Sequence, residues 1–170
     1  VYYSLGDMDA AIASFEKAIT LSPDMILASW WRAYMHCVKE EYQACLDGYA
    51  AVGELTGNDA IRLQGEAIAL YGMGRREESA SALATLESDH FETFPYVIAA
   101  THAQQGRTDK AIELFERAYE QQGVGGISFI HRDPLMAFLK EDPRMQRLLE
   151  EAGLSEEQLA EIEFHVDIPE

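Results

Sequence analysis

The chain has 170 residues, enough for one ordinary domain or one array of small repeats and too few for two large domains. Hydrophobic residues make up 48%, a globular value rather than a disordered one. Lys and Arg number 13 against 30 Asp and Glu, a net charge of -17, which argues against nucleic-acid binding because phosphate neutralisation needs clustered cations. No run approaches the ~20 apolar residues of a membrane span, and no basic-then-apolar signal peptide is read at the start.

In chain order, the first predicted helix covers 7–21, where Ala11, Ile12, Phe15, Ala18, Ile19 and Leu21 form one apolar stripe with Asp9, Glu16 and Lys17 off it. Ser22-Pro23-Asp24 stops it, with Pro suited to the first turn of a second helix over 24–38. A third helix is expected over 41–56, a fourth over 59–72 after Thr56-Gly57-Asn58, and a fifth over 75–88 after Gly72-Met73-Gly74. The sixth and seventh, 95–105 and 108–121, flank Gln105-Gly106-Arg107, since Gly tolerates the left-handed position that ends a helix. Cys37 and Cys45, eight apart in this pattern, read as two small buried reduced thiols, which implies a reducing and hence cytoplasmic setting. A disulfide or metal pair is the alternative, though neither CxxC nor a partnered His spacing supports it.

Aligning the second helix of each pair puts Ala11, Cys45, Ser79 and Ala111 in register, at separations of 34, 34 and 32. Phe15, Tyr49, Leu83 and Phe115 then coincide, as do Ala18, Val52, Leu86 and Ala118. The small residue lets the preceding antiparallel helix come close, and the larger one four positions on fills the space towards the next pair. A two-helix repeat of this length is the mark of a helical solenoid. The run from Leu5-Gly6-Asp7 through Ala11, Phe15 and Ala18 to Pro23 resembles the second half of a tetratricopeptide repeat. Gly106, Ala111, Phe115 and Ala118 match that pattern again, and Gly74, Leu83 and Leu86 match it loosely. Glu40 departs from it at the Gly position and Ser79 at the Ala position. The resemblance covers about residues 1–123 and implies an all-α, right-handed α-α superhelix of three and a half repeats, the first truncated, with Val1–Leu5 ending a helix whose beginning is missing.

The tail, 124–170, is expected to close the array with short helices over 134–140, 143–152 and 156–162. Gly123-Val124-Gly125-Gly126 reads as a flexible break. Asp133-Pro134 and Asp142-Pro143 are helix starts, and Ser155 with Gln158 fits a capping box. The stretch from Asp133-Pro134-Leu135 to Gly153-Leu154 resembles the end segment of bacterial tetratricopeptide proteins whose arrays sit behind signalling or DNA-binding domains. That resemblance implies a piece of a larger bacterial regulatory protein.

Catalysis is not expected. His36, His90, His102, His131 and His165 stand in no metal-ligand spacing, so neither metal nor cofactor is predicted. His36 and His102 fall at equivalent places in the repeat and read as packed aromatic substitutes. His131-Arg132-Asp133 lacks every other part of a kinase site. The resemblance instead implies a concave groove lined by the first helix of each pair. Its predicted contact residues are Leu27, Trp30, Tyr34, Gln64, Ile68, Tyr71, Tyr96 and Gln104, none of them charged. The expected function is protein–protein interaction: the groove holds a neutral-to-basic protein or peptide, with aromatic anchors, and no nucleic acid or membrane is involved. A small-molecule-sensing domain with an apolar pocket, or a self-associating homodimer, is the alternative. Ordinary repeat packing, or cover by the tail, is the competing account of the same aromatic stripe.

Overall fold

The structure is a computed structural model that describes residues 7–130 and 133–162. Val1–Leu5, His131, Arg132 and His165 therefore lie outside the described residues. The order is α1 (Met8–Leu21), α2 (Ile26–Val38), α3 (Tyr42–Thr56), α4 (Asp59–Gly72), α5 (Arg76–His90), α6 (Pro95–Gln104) and α7 (Thr108–Gln122). Two 3-10 segments (Gly123–Gly126 and Pro134–Glu141), α8 (Pro143–Glu151) and α9 (Glu156–Ala160) follow. No strand occurs among the described residues, and helices pack mainly on their chain neighbours, giving an all-α repeat solenoid.

The helix ends follow from local chemistry. Asp7 accepts a hydrogen bond from the Ala10 amide and Asn58 from the Ala60 amide, satisfying amides that a helix start leaves open. α2 begins two residues later than its sequence suggests. The Met25 amide donates to the Ser22 carbonyl at 3.0 Å and the Ser22 hydroxyl to Asp24 at 2.8 Å, so Pro23 belongs to a turn rather than to the helix. The turns after α2, α4 and α6 share one device. The amides of Glu41, Arg75 and Arg107 reach back to the carbonyls of His36, Leu70 and His102 at 2.9, 2.8 and 3.0 Å. Each bond requires a left-handed residue just before it. Gly74 (φ 80°) and Gly106 (φ 73°) supply it, but after α2 the residue is Glu40, at φ 60°.

Ala11, Cys45, Ser79 and Ala111, the four small residues in register, are all buried, as are Tyr49, Leu83 and Phe115 in the larger set. Ser79 keeps its hydroxyl satisfied there: it donates to the Ala67 carbonyl at 2.7 Å and accepts from Gln105 Nε2 at 3.1 Å. α3 and α4 approach so closely that a Cβ on Gly65 would stand 2.2 Å from Tyr49 Cβ.

The two cysteines are not free thiols. Cys37, at the end of α2, and Cys45, in the first turn of α3, form a disulfide with their Cα atoms 5.0 Å apart. The turn through Glu40 folds α3 back along α2, and positions eight apart face each other across that hairpin. The reducing, cytoplasmic setting inferred from free thiols loses its basis with them.

The tail is built into the core. Gly123–Gly126 is a packed 3-10 turn rather than a flexible break: a Cβ on Gly126 would lie 2.3 Å from the Ala118 carbonyl oxygen. Ile127, Ile130, Met136, Leu139 and Met145 are fully buried in one cluster with Leu86, Ile98, Ile112 and Phe115. A second cluster unites α1–α3 with Ile68 and Ala69, while Ala60, Leu63 and Ala67 of the same α4 belong to the first. Asp142 caps α8 through the Arg144 amide at 2.9 Å. The Ser155–Gln158 capping box of α9 is complete, at 3.3 and 3.1 Å.

Candidate functional site

α2, α4 and α6 are the first helices of their pairs, and they present the side chains of interest to one face. On that face Phe129 and Asp133 border one partly open cleft, and Ala137 and Phe138 border a second.

The first cleft, of about 350 Å³, has two aromatic walls. Trp30, Trp31 and Tyr34 of α2 form one: Trp30 stacks on Tyr34 at 5.7 Å, and Trp31 meets both rings edge-on at 4.9 and 5.8 Å. Phe94, Tyr96 and Phe129 form the other, with Tyr96 edge-on to Phe129 at 5.9 Å. The Asp133 carboxyl joins the walls: the Tyr34 hydroxyl donates to its Oδ1, and the Tyr96 hydroxyl donates to its Oδ2 at 3.2 Å. Asp133, expected only as a helix cap, thus faces both tyrosines. Below this wall Tyr49 is fully buried, its ring 6.2 Å from Trp30 and its hydroxyl without a hydrogen-bond partner. Burial pushes that hydroxyl well above its ordinary pKa, and the Asp133 charge adds to the shift.

The second cleft, of about 560 Å³, opens between Ile68 and Tyr71 of α4, Gln104 of α6, and Phe138. The Tyr71 hydroxyl donates to the Gln105 carbonyl at 2.8 Å, and Arg76 covers the Tyr71 ring at 3.4 Å from its centre. Both polar atoms of the Gln104 amide are buried without a hydrogen-bond partner. Tyr42, on the rim, has its hydroxyl pKa raised by burial first and by the Glu40 charge second.

Of the eight predicted contact residues, Leu27, Trp30, Tyr34 and Tyr96 meet in the first cleft, and Ile68, Tyr71 and Gln104 in the second. Gln64 lines neither. It is 4% exposed, because α4 is covered by its neighbours at that point. Sequence reasoning missed Asp133, Phe129 and Phe138, which approach from the tail; two exposed aromatics in a segment taken as mere closure were the available signal. His102 is buried with its Nε2 on Glu87, and His36 is half-buried with Nδ1 2.6 Å from Glu41, so both are packed as expected.

Models of the tetratricopeptide repeat match residues 1–25 and 65–124. The chain belongs to the tetratricopeptide repeat family. Neither a curated protein nor a solved structure matches it. Tetratricopeptide repeats generally mediate protein–protein interaction and scaffolding, and they are typically not catalytic. The stretch between the two matches, 26–64, holds two features of this chain, Glu40 at the Gly position and the Cys37–Cys45 disulfide, while Ser79 at the Ala position lies within the second match. Among the described residues, no helix is long and apolar enough to cross a membrane, and no group of His, Cys, Asp or Glu could hold a metal ion.

Proposed function

We propose that this tetratricopeptide array is an interaction module of a larger regulatory protein, and that it holds a neutral-to-basic partner segment against its α2/α4/α6 face. One observation carries the reading. Each cleft is mainly apolar, and the charged side chain among its described lining residues is an acid: Asp133 in the first and Glu40 in the second. A chain of net charge -17 attracts cationic segments over distance. Leu27, Phe129 and Phe138 are large apolar residues left 66%, 52% and 46% exposed on the cleft rims, where a partner can bury them at little cost to the fold.

The test is selection of binders from a displayed peptide library, followed by titration against Leu27→Ser, Phe129→Ser and Phe138→Ser. Loss of about fivefold or more in affinity at one cleft, with helicity unchanged, supports the reading. Selected peptides that bind all three variants as tightly as the parent refute it.

A second reading, a small-molecule sensor, draws on the size of the first cleft and its partial cover by the chain's own segment. A volume of about 350 Å³ lies within the range of small-ligand sites.

A further inference from the structure

We propose that the second cleft takes a lysine or arginine side chain of the partner, and that Glu40 is the residue that selects it. This rests on the reading of the α2/α4/α6 face as a binding surface and names the partner chemistry of one of its clefts.

The turns after α2, α4 and α6 each need a left-handed residue at one position, and glycine fills it in the last two. Gly106 borders the second cleft and brings no side chain to it. Glu40, at the matching place in its own turn, borders the same cleft and brings a carboxylate. An acid therefore stands where the fold alone is better served by glycine, and residues held in such a conformation gather at binding sites. The carboxylate does nothing for the turn: among the described residues it has neither a hydrogen bond nor an ion pair. The charges beside it are already matched. Lys39 pairs with Asp9 at 2.6 Å and with Glu41 at 2.8 Å, and Glu41 also meets His36 at 2.6 Å. Arg76 lies over the Tyr71 ring, 3.4 Å from its centre, rather than against Glu40.

The rest of this cleft is mainly apolar, with Val38, Ile68 and the half-exposed Phe138 among its walls. The Glu40 charge acts at that rim, since after burial it is the next cause raising the Tyr42 hydroxyl pKa. A wholly apolar segment laid over the cleft would strip water from the carboxylate and return no bond to it. An acidic segment would meet it as a like charge. Lysine or arginine supplies a charge-assisted bond, while its aliphatic stem lies along the apolar wall. The first cleft differs, because its Asp133 already receives the hydroxyls of Tyr34 and Tyr96.

The probes are peptides selected from a displayed library on the whole chain, sorted by loss of affinity with Phe138→Ser, which marks the second cleft. These peptides should carry a lysine or arginine whose neutral replacement, norleucine or citrulline, weakens binding about tenfold. Glu40→Gln should weaken the cationic peptide by about the same factor and leave its neutral form unchanged. Glu40→Lys should reverse the preference, favouring the same peptide with glutamate in place of the cation. Glu40 is exposed, so helicity should be unchanged in each variant. Glu40→Gly should also bind the cationic peptide about tenfold more weakly although its turn is relaxed, which separates selection from a structural role. Phe138-dependent peptides that carry no cation, or that bind Glu40→Gln as tightly as the parent, overturn the proposal and leave the interaction reading standing. Selection of peptides sensitive only to Leu27→Ser or Phe129→Ser does the same. Peptides indifferent to all three serine variants, or no binders at all, remove both.

Discussion

Glu40→Gly should stabilise the protein. Glu40 occupies φ 60°, where the turn after α2 needs a left-handed residue to let the Glu41 amide reach the His36 carbonyl. A side chain in that conformation costs about 1–2 kcal/mol, because its Cβ crowds the following carbonyl oxygen. Glycine removes that cost but adds freedom to the unfolded chain, worth about 0.4–1 kcal/mol in the other direction. The balance is a gain of up to about 1.6 kcal/mol with a middle value of about 0.8, or about 2–3 °C in melting temperature for a chain of this size. Charge must be separated from backbone, since removing one acid from a chain of net charge -17 also relieves repulsion. Glu40→Gln removes the charge and keeps the Cβ; Glu40→Asn adds a residue that tolerates the left-handed region. Thermal unfolding followed by circular dichroism should rank them Gly, then Asn, then Gln close to the parent. A Gln variant as stable as the Gly variant would show that charge and not backbone geometry was responsible, and a Gly variant below the parent would refute the reasoning outright.

Gly65→Ala should cost about 1–3 kcal/mol or more, since the new Cβ would collide with Tyr49 Cβ, an atom that no rotamer change can move; Gly125→Ala, which meets open space, is the control in the same denaturant titration. Reducing the Cys37–Cys45 disulfide should lower stability by about 2.5 kcal/mol on the chain-entropy account. Mass spectrometry after alkylation without reductant should show no added mass, and two added groups would contradict the bond. Asp142 has its pKa lowered from 3.8 to about 2, chiefly by the Arg144 side chain and then by the Arg144 amide. Its stabilisation is thus complete above the unfolded value and lost as pH falls through about 2. Urea midpoints of the parent and Asp142→Ala should differ near neutral pH and converge in acid; a constant difference would place the effect elsewhere.

Helices and register were legible because they rest on local rules. Gly57, Gly74 and Gly106 mark the turns, and the small-then-large spacing from Ala11 to Phe115 places every small residue and Tyr49, Leu83 and Phe115 in the core, with Phe15 partly buried against it. What escaped depends on contacts distant in sequence. No pattern in Asp133-Pro134 reveals that its carboxyl meets Tyr34, 99 residues earlier. The disulfide was hidden for another reason: eight residues is no recognised cysteine spacing, and only the reversal at Glu40 turns it into proximity. Gln64 was placed in the groove because a repeat template assigns faces by position, and it could not register that the flanking helices close over that point of α4.

The double membership of α4 has a mechanical consequence. Its residues Ala60, Leu63 and Ala67 serve the C-terminal cluster while Ile68 and Ala69 serve the N-terminal one, so this helix is the keystone that both halves lean on. Loosening at either end can stop at it, whereas damage to it releases both halves together. The amides of these fourteen residues should be the slowest to exchange with solvent deuterium.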